Sequence, residues 1–94
     1  MSEIITAAVG VLSEKIKTFD GTAKFMVEGE GGIVIDADGV RAGDDDTDVT
    51  LSADVETFQA ILDGSLNPTT AFMTGKLSMD GDMATAIKLG AELS

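Results

Sequence analysis

Residues 67–83 read NPTTAFMTGKLSMDGDM, a stretch in which the predicted structure changes several times. Asn67 and Pro68 predict the start of a helix, because Asn accepts hydrogen bonds from free backbone N–H groups and proline is tolerated at the first helical position. We expect this short helix to run from Pro68 to Met73, and the chain to leave it at Gly75.

The second half of the same stretch predicts a strand followed by another helix. Apolar and polar residues alternate over Lys76–Met79, which is typical of a half-buried strand. Asp80 and Gly81 then favour a turn, and Asp82 is suited to cap the final helix. The apolar residues of that helix are Met83, Ala86, Ile87 and Leu93.

Towards the N-terminus, the sequence begins with the spacing of an amphipathic helix. We expect this helix to end near Phe19, because Asp20 and Gly21 favour a turn. Its apolar positions recur at intervals of three and four residues: Ile5, Ala8, Val9, Leu12 and Ile16.

Between residues 22 and 51 the apolar period shortens to two, which predicts strands. The Gly-rich residues 29–32 and the pair Asp38-Gly39 are typical of hairpin connections, whereas the acidic residues 44–48 favour a solvated loop. The predicted strands are Thr22–Glu28, Ile33–Ile35, Val40–Gly43 and Val49–Leu51.

Another helix is predicted between the fourth strand and Asn67. We expect Ser52 to cap this helix and Gly64 to end it in a left-handed conformation. One of its faces carries Val55, Phe58, Ile61 and Leu62. Together these elements predict an α+β fold, with helices packed on a sheet, in a single domain that spans residues 1–94.

Composition excludes several classes of function. Seventeen acidic and six basic residues give a net charge of −11, and the chain contains neither Cys nor His. The charge argues against binding to nucleic acid, which depends on Lys and Arg neutralising phosphates, and against adsorption to an anionic bilayer. Without Cys and His there is no disulfide, no zinc site of the usual kind and no imidazole or thiol catalysis. With no targeting or membrane-spanning segment in the sequence, we expect a soluble, cytoplasmic protein.

The acidic clusters do not have the spacing of an EF-hand calcium loop. In a loop that starts at Asp36 or at Asp80, Val40 or Ala84 stands where a ligand is required. In a loop that starts at Asp44, Val49 stands where the glycine is required. We therefore predict no metal and no cofactor. No nucleophile elbow or phosphate-binding loop occurs, and among seventeen acids two carboxylates lie close by chance, so we expect no enzymatic activity.

The C-terminal half contains ten large apolar side chains in about thirty positions. Two interpretations of them stay open: they fill the core, or they line an apolar cavity in which flexible Met side chains adapt to a ligand. The ten residues are Phe58, Ile61, Leu62, Leu66, Phe72, Met73, Leu77, Met79, Met83 and Ile87.

Residues 67–83 resemble the signature of the sterol carrier protein family (type two), N-P-x-x-A-F-x-x-G-K-L followed by a short strand and G-[ND]-M. Residues 48–52 and 63–66 also match the order of segments in that family, and the resemblance covers most of the chain. It implies a five-stranded, mostly antiparallel sheet covered by helices. Residues 91–94 lack the peroxisomal ending, which indicates a small stand-alone prokaryotic version.

The resemblance implies binding or transfer of a lipid (a fatty acid, acyl chain or phospholipid) in an apolar tunnel, without covalent chemistry. The alternative is a structural or interaction module of the same fold that serves an enzyme of lipid or quinone metabolism. The expected partner is a lipid, with a transient membrane or protein partner for delivery, and the oligomeric state stays open. The ligand-binding residues implied are Phe58, Ile61, Leu62, Phe72, Leu77, Met79, Met83 and Ile87.

Overall fold

The computed structural model describes residues 3–93, which form four helices and five strands. In chain order these are α1 (Glu3–Lys15), β1 (Ala23–Val27), β2 (Gly31–Asp36), β3 (Gly39–Ala42), β4 (Val49–Ala53), α2 (Val55–Leu62), α3 (Pro68–Met73), β5 (Ser78–Gly81) and α4 (Met83–Leu93). The strands form one sheet in the order β3-β2-β1-β4-β5. The prediction of an α+β fold with a five-stranded sheet is confirmed.

Strand β1 lies at the centre of the sheet, antiparallel to β2 and parallel to β4. Phe25 of β1 is opposite Ile33 on one side and Leu51 on the other. Leu51 pairs in turn with Met79 of the antiparallel edge strand β5. Because β2 and β3 are also antiparallel, the sheet is mostly antiparallel, as the resemblance implies.

The helices cover one face of the sheet. Side chains along β1 alternate between buried and half-buried, because successive residues of a strand point to opposite faces. Helix α1 packs on β2 and β3, while α4 packs on β1, β4 and β5. The rings of Phe25 and Phe58 lie 4.6 Å apart between their centres, so α2 is joined to the central strand by an aromatic contact.

Polar side chains set the starts of the helices, although not always at the predicted residue. Asn67 caps α3 by accepting a hydrogen bond from the Thr69 N–H at 2.8 Å, as predicted. The prediction that Ser52 caps α2 is wrong, because Ser52 belongs to β4. Asp54 is the cap, and its carboxylate accepts the Thr57 N–H at 2.7 Å.

Helix α1 ends at Lys15, four residues before the predicted end. The Ile16 N–H still donates to the Leu12 carbonyl at 2.8 Å, but the Phe19 N–H donates to the Asp36 carbonyl at 3.1 Å. The chain after α1 is therefore tied to β2. At the end of α2, Gly64 has a φ of +85°, which confirms the predicted left-handed conformation.

Strand β5 begins two residues later than the alternation predicts. The N–H groups of Lys76 and Leu77 donate to the Ala71 carbonyl at 2.9 and 3.1 Å, so they complete the end of α3 and are unavailable to the sheet. The turn predicted at Asp80-Gly81 is wrong, because β5 continues to Gly81. Only glycine fits there: its φ is +121°, and a Cβ would collide with the Asp48 carbonyl.

Candidate functional site

The eight residues that the resemblance assigns to ligand binding lie on α2, α3, α4 and the segment that includes β5. The structure divides them by depth into three sets. Three are buried, two are half-buried and three are exposed. Phe58, Ile61 and Leu77 are buried. Leu62 and Met79 are half-buried, and Phe72, Met83 and Ile87 are exposed.

The three buried residues, which we call the inner group, are part of a closely packed core. Phe58, Ile61 and Leu77 each expose 2% or less of their surface. Leu62 and Met79 pack against the same core cluster from its edge. The inner group therefore lies in the core, where the ring of Phe58 contacts Phe25 of the central strand.

The exposed apolar side chains of α3 and α4 form the second feature of the site. We call the four residues Phe72, Met73, Met83 and Ile87 the α3–α4 face; their exposed fractions are 41%, 79%, 43% and 70%. Helix α3 packs against α4, and Met83 and Ile87 are one helical turn apart on α4. These four side chains do not fill the core, because they lie at the surface.

The ligand-binding set implied by the resemblance does not contain Met73, although Met73 is the most exposed member of the α3–α4 face. Its neighbour Phe72 is in that set, because Phe72 belongs to the family signature. Position in the helix is the signal that points to Met73: it is the last residue of a six-residue helix whose buried residues are Pro68 and Ala71. A residue two positions beyond Ala71 is rotated away from the buried side.

A separate apolar groove lies between α1 and α2. It has a volume of about 210 Å³ and is lined by Glu3, Ile4, Ala7, Ala8, Val11, Gln59 and Leu62. Val11 lies off the predicted apolar stripe of α1 and is 41% exposed. Leu62 links the groove to the edge of the core. Within residues 3–93, no helix has the length and apolar character needed to span a bilayer.

Hydrogen bonds fix the starts of the two helices that frame the site. Asp54 and Asp82 accept backbone N–H groups at the starts of α2 and α4. The Thr57 N–H lowers the pKa of Asp54, and the Thr85 hydroxyl, 2.9 Å from the Asp82 carboxylate, lowers the pKa of Asp82. A general acid needs a raised pKa, so both carboxylates are suited to capping and not to acid catalysis.

Three acidic residues near β3, namely Asp36, Asp44 and Asp45, are held in ion pairs. Arg41 bridges Asp36 and Asp45 at 2.8 and 3.0 Å, and its hydrogen bond is the main cause of the lowered pKa of Asp36. Lys24 pairs with Asp44 at 2.7 Å. In the part of the chain that the structure describes, no three His, Cys, Asp or Glu side chains are grouped to hold a metal ion.

Comparison with known proteins gives matches over almost the whole chain. The family model described as the SCP-2 sterol transfer family matches residues 3–94. Hydroxysteroid dehydrogenase-like protein 2 of Danio rerio is 40% identical over 98 residues, a match that covers 95% of this chain and 24% of the relative. This chain therefore spans about a quarter of the length of that relative.

Solved structures share the fold. The second sterol carrier protein domain of Helicoverpa armigera is 27% identical with a TM-score of 0.75, and the match covers 96% of this chain and 85% of that one. A palmitated SCP2L2 from Aedes aegypti is 26% identical with a TM-score of 0.69, covering 97% and 88% of the two chains. The resemblance seen in residues 67–83 is thereby confirmed. The chain belongs to the SCP-2 sterol transfer family.

Proposed function

We propose that this chain binds one lipid molecule, a fatty acid or another acyl-chain lipid, by apolar contact and transfers it without making or breaking a covalent bond. The observation that carries the proposal is the family match over residues 3–94. The 26% identity to a palmitated relative supports an acyl chain as the cargo. The lowered pKa values of Asp36, Asp54 and Asp82 argue against acid catalysis by these three carboxylates.

The proposed binding region extends from the inner group to the α3–α4 face. It comprises Phe58, Ile61, Leu62, Phe72, Leu77, Met79, Met83 and Ile87. Each methylene of an acyl chain that leaves water for this region contributes about 0.8 kcal/mol. Met79 and Met83 suit such a cargo, because the thioether side chain is flexible and adapts to irregular shapes.

Uptake of the lipid requires a movement of the helices. The inner group exposes 2% or less of its surface, so an acyl chain reaches it only when α3 and α4 move away from the core. Two features favour this movement. Helix α3 has only six residues, and the exposed side chains of the α3–α4 face do not hold it against the core.

The proposal is tested by two matched substitutions, Phe72→Asp and Val11→Asp. Both residues are apolar, helical and 41% exposed. Phe72 belongs to the proposed binding region, whereas Val11 lines the groove between α1 and α2, which shares only Leu62 with that region. We expect Phe72→Asp to weaken displacement of a fluorescent fatty acid by palmitate at least about tenfold, since a charge replaces an apolar contact. Val11→Asp should bind like the wild type. Equal binding by all three proteins, at similar melting temperatures, would contradict the proposed site.

The second candidate function is an accessory module of a larger enzyme. It is favoured by the curated relative from Danio rerio, in which the matching segment is about a quarter of a hydroxysteroid dehydrogenase-like protein. In this case Phe72→Asp changes thermal stability or association with the enzyme, and the purified protein takes up no member of a panel of fatty acids and phospholipids.

A further inference from the structure

The net charge of the chain is unevenly distributed along the sequence. Residues 64–91 contain two acids, Asp80 and Asp82, and two bases, Lys76 and Lys88, so this segment is neutral. The remaining residues contain fifteen acids and four bases and account for the whole charge of −11. The neutral segment includes α3, β5 and most of α4.

The neutral segment also carries most of the exposed apolar surface. Among the described residues the large exposed apolar side chains are those of Val11 and of the α3–α4 face. Four of these five side chains therefore lie in the neutral segment. A cluster of exposed apolar side chains in a single region marks a surface that contacts another apolar phase or partner.

Two of the four charged residues in the neutral segment, Asp82 and Lys88, are engaged with other groups. Asp82 accepts the Ala84 N–H and the Thr85 hydroxyl at 3.0 and 2.9 Å, so its carboxylate is directed back into α4. Lys88 pairs with Asp20 at 3.4 Å. On α3 itself there is no charged residue. The face thus has little charge to desolvate when it leaves water.

We propose that the α3–α4 face docks on a lipid bilayer with uncharged, zwitterionic headgroups, and this inference rests on the proposed function. The neutral segment can approach such a surface without repulsion, whereas the fifteen acids elsewhere keep the rest of the molecule in water. An anionic bilayer would repel the charge of −11. Flexible Met and Phe side chains need no matching hydrogen-bond partners, which a fluid hydrocarbon boundary does not offer.

Docking of this face also gives the cargo a short route. Phe72 and Met83 belong to both the α3–α4 face and the proposed binding region. When α3 and α4 move away from the core at the membrane, the acyl chain passes between bilayer and protein core without crossing water. The same two helices then serve as docking surface and as entrance.

The test is flotation of the ligand-free protein with phosphatidylcholine vesicles. We expect the wild type to partition to the vesicles and Met73→Ser to weaken partitioning about tenfold, because one apolar side chain no longer enters the bilayer. Ile87→Ser provides a second variant with the same expectation. Both positions are well exposed, so neither change should disturb folding. Val11→Ser, an exposed apolar residue outside the face, should partition like the wild type.

Vesicles that contain the anionic lipid phosphatidylglycerol test how partitioning depends on the charge of the bilayer. We expect weaker partitioning to them at low salt and recovery towards the phosphatidylcholine value at high salt, because counterions screen the repulsion. Stronger partitioning to the anionic vesicles at low salt would overturn the proposal. Equal effects of Met73→Ser and Val11→Ser would overturn it as well.

Two further outcomes separate this inference from its alternatives. A wild-type dimer in light scattering that Met73→Ser converts to a monomer, with no vesicle binding, would assign the face to a second copy of the chain. Binding of palmitate without binding to phosphatidylcholine vesicles would overturn the docking surface and leave the proposed function intact. Vesicle binding without palmitate binding would remove the proposed function and leave the docking surface.

Discussion

Single residues determine where the helices of this chain begin. Asp54, Asn67 and Asp82 each place a side-chain oxygen on a backbone N–H in the first turn that would otherwise lack a partner. The two carboxylates carry out this role in the ionised form, as their lowered pKa values indicate. Titration of a cap is therefore linked to the stability of the fold.

We predict that Asp54→Asn reduces the loss of stability in acid. Hydrogen bonds, first from the Thr57 N–H, lower the pKa of Asp54 in the folded state below its ordinary value of 3.8. The ionised cap thus stabilises the fold above that value, and this contribution disappears as the pH falls through the folded pKa. Asn keeps the acceptor oxygen and does not titrate.

Urea unfolding of both proteins between about pH 5 and about pH 2 measures the effect. The free energy of unfolding should fall less steeply in the variant than in the wild type. Parallel curves for the two proteins would show that the carboxylate of Asp54 does not contribute to stability through its charge.

At the scale of the elements, α4 has one apolar side against the sheet and another in water. Leu89 is completely buried in the core, whereas Ile87, two residues earlier, is mostly exposed. We predict that Leu89→Ala lowers the free energy of unfolding by about 2 to 4 kcal/mol, because it leaves a cavity in the core. Ile87→Ala should change it by no more than about 0.5 kcal/mol.

Chemical denaturation of the two variants gives both values, and circular dichroism before denaturation confirms that each is folded. The pair is matched, since both residues are large aliphatic side chains of the same helix. A loss of several kcal/mol in Ile87→Ala would mean that Ile87 packs in the core, and would remove it from the α3–α4 face.

The same helix shows why part of the site could not be predicted from the sequence. Its apolar residues are distributed around the helix, at Met83, Ala86, Ile87, Leu89 and Leu93. Periodicity alone does not choose which of them face the sheet. The small residues Ala86 and Thr85 are buried, which turns the bulkier Met83 and Ile87 outward. That outcome depends on tertiary packing.

The boundaries of helices and strands also show how far structure can be predicted from the sequence. The helix at Pro68 could be predicted because Asn67 and Pro68 act locally. Ser52 and Asp54 are both good caps, and pairing of Ser52 with Ser78 in the sheet decides between them. That pairing joins residues far apart in the sequence. Local chemistry therefore predicts which elements exist, whereas long-range pairing decides where some of them begin.

For the whole molecule, the charge of −11 sets the electrostatic behaviour. Like charges repel in the compact state, and salt screens that repulsion. The ion pairs of the described residues, such as Lys24–Asp44 and Arg41–Asp36, include exposed groups and contribute little to stability. Added salt therefore relieves more destabilising repulsion than it weakens stabilising ion pairs.

We predict that the melting temperature rises by several degrees when sodium chloride is increased from about 0.01 M to about 0.5 M, a range over which the Debye length falls from about 30 Å to below 10 Å. Differential scanning calorimetry at constant pH measures this shift. A melting temperature that falls with salt would mean that the ion pairs contribute more than the repulsion costs.

The central claim is that the molecule carries one lipid in an apolar interior. Native mass spectrometry of the purified chain after incubation with palmitate tests this claim most directly, and solvent extraction of the protein as purified identifies any lipid already bound. We predict a complex of one palmitate per chain, which Val11→Asp retains and which is strongly reduced in Phe72→Asp. A protein observed only at its unliganded mass, with nothing extracted and no uptake from a panel of fatty acids and phospholipids, would contradict the claim.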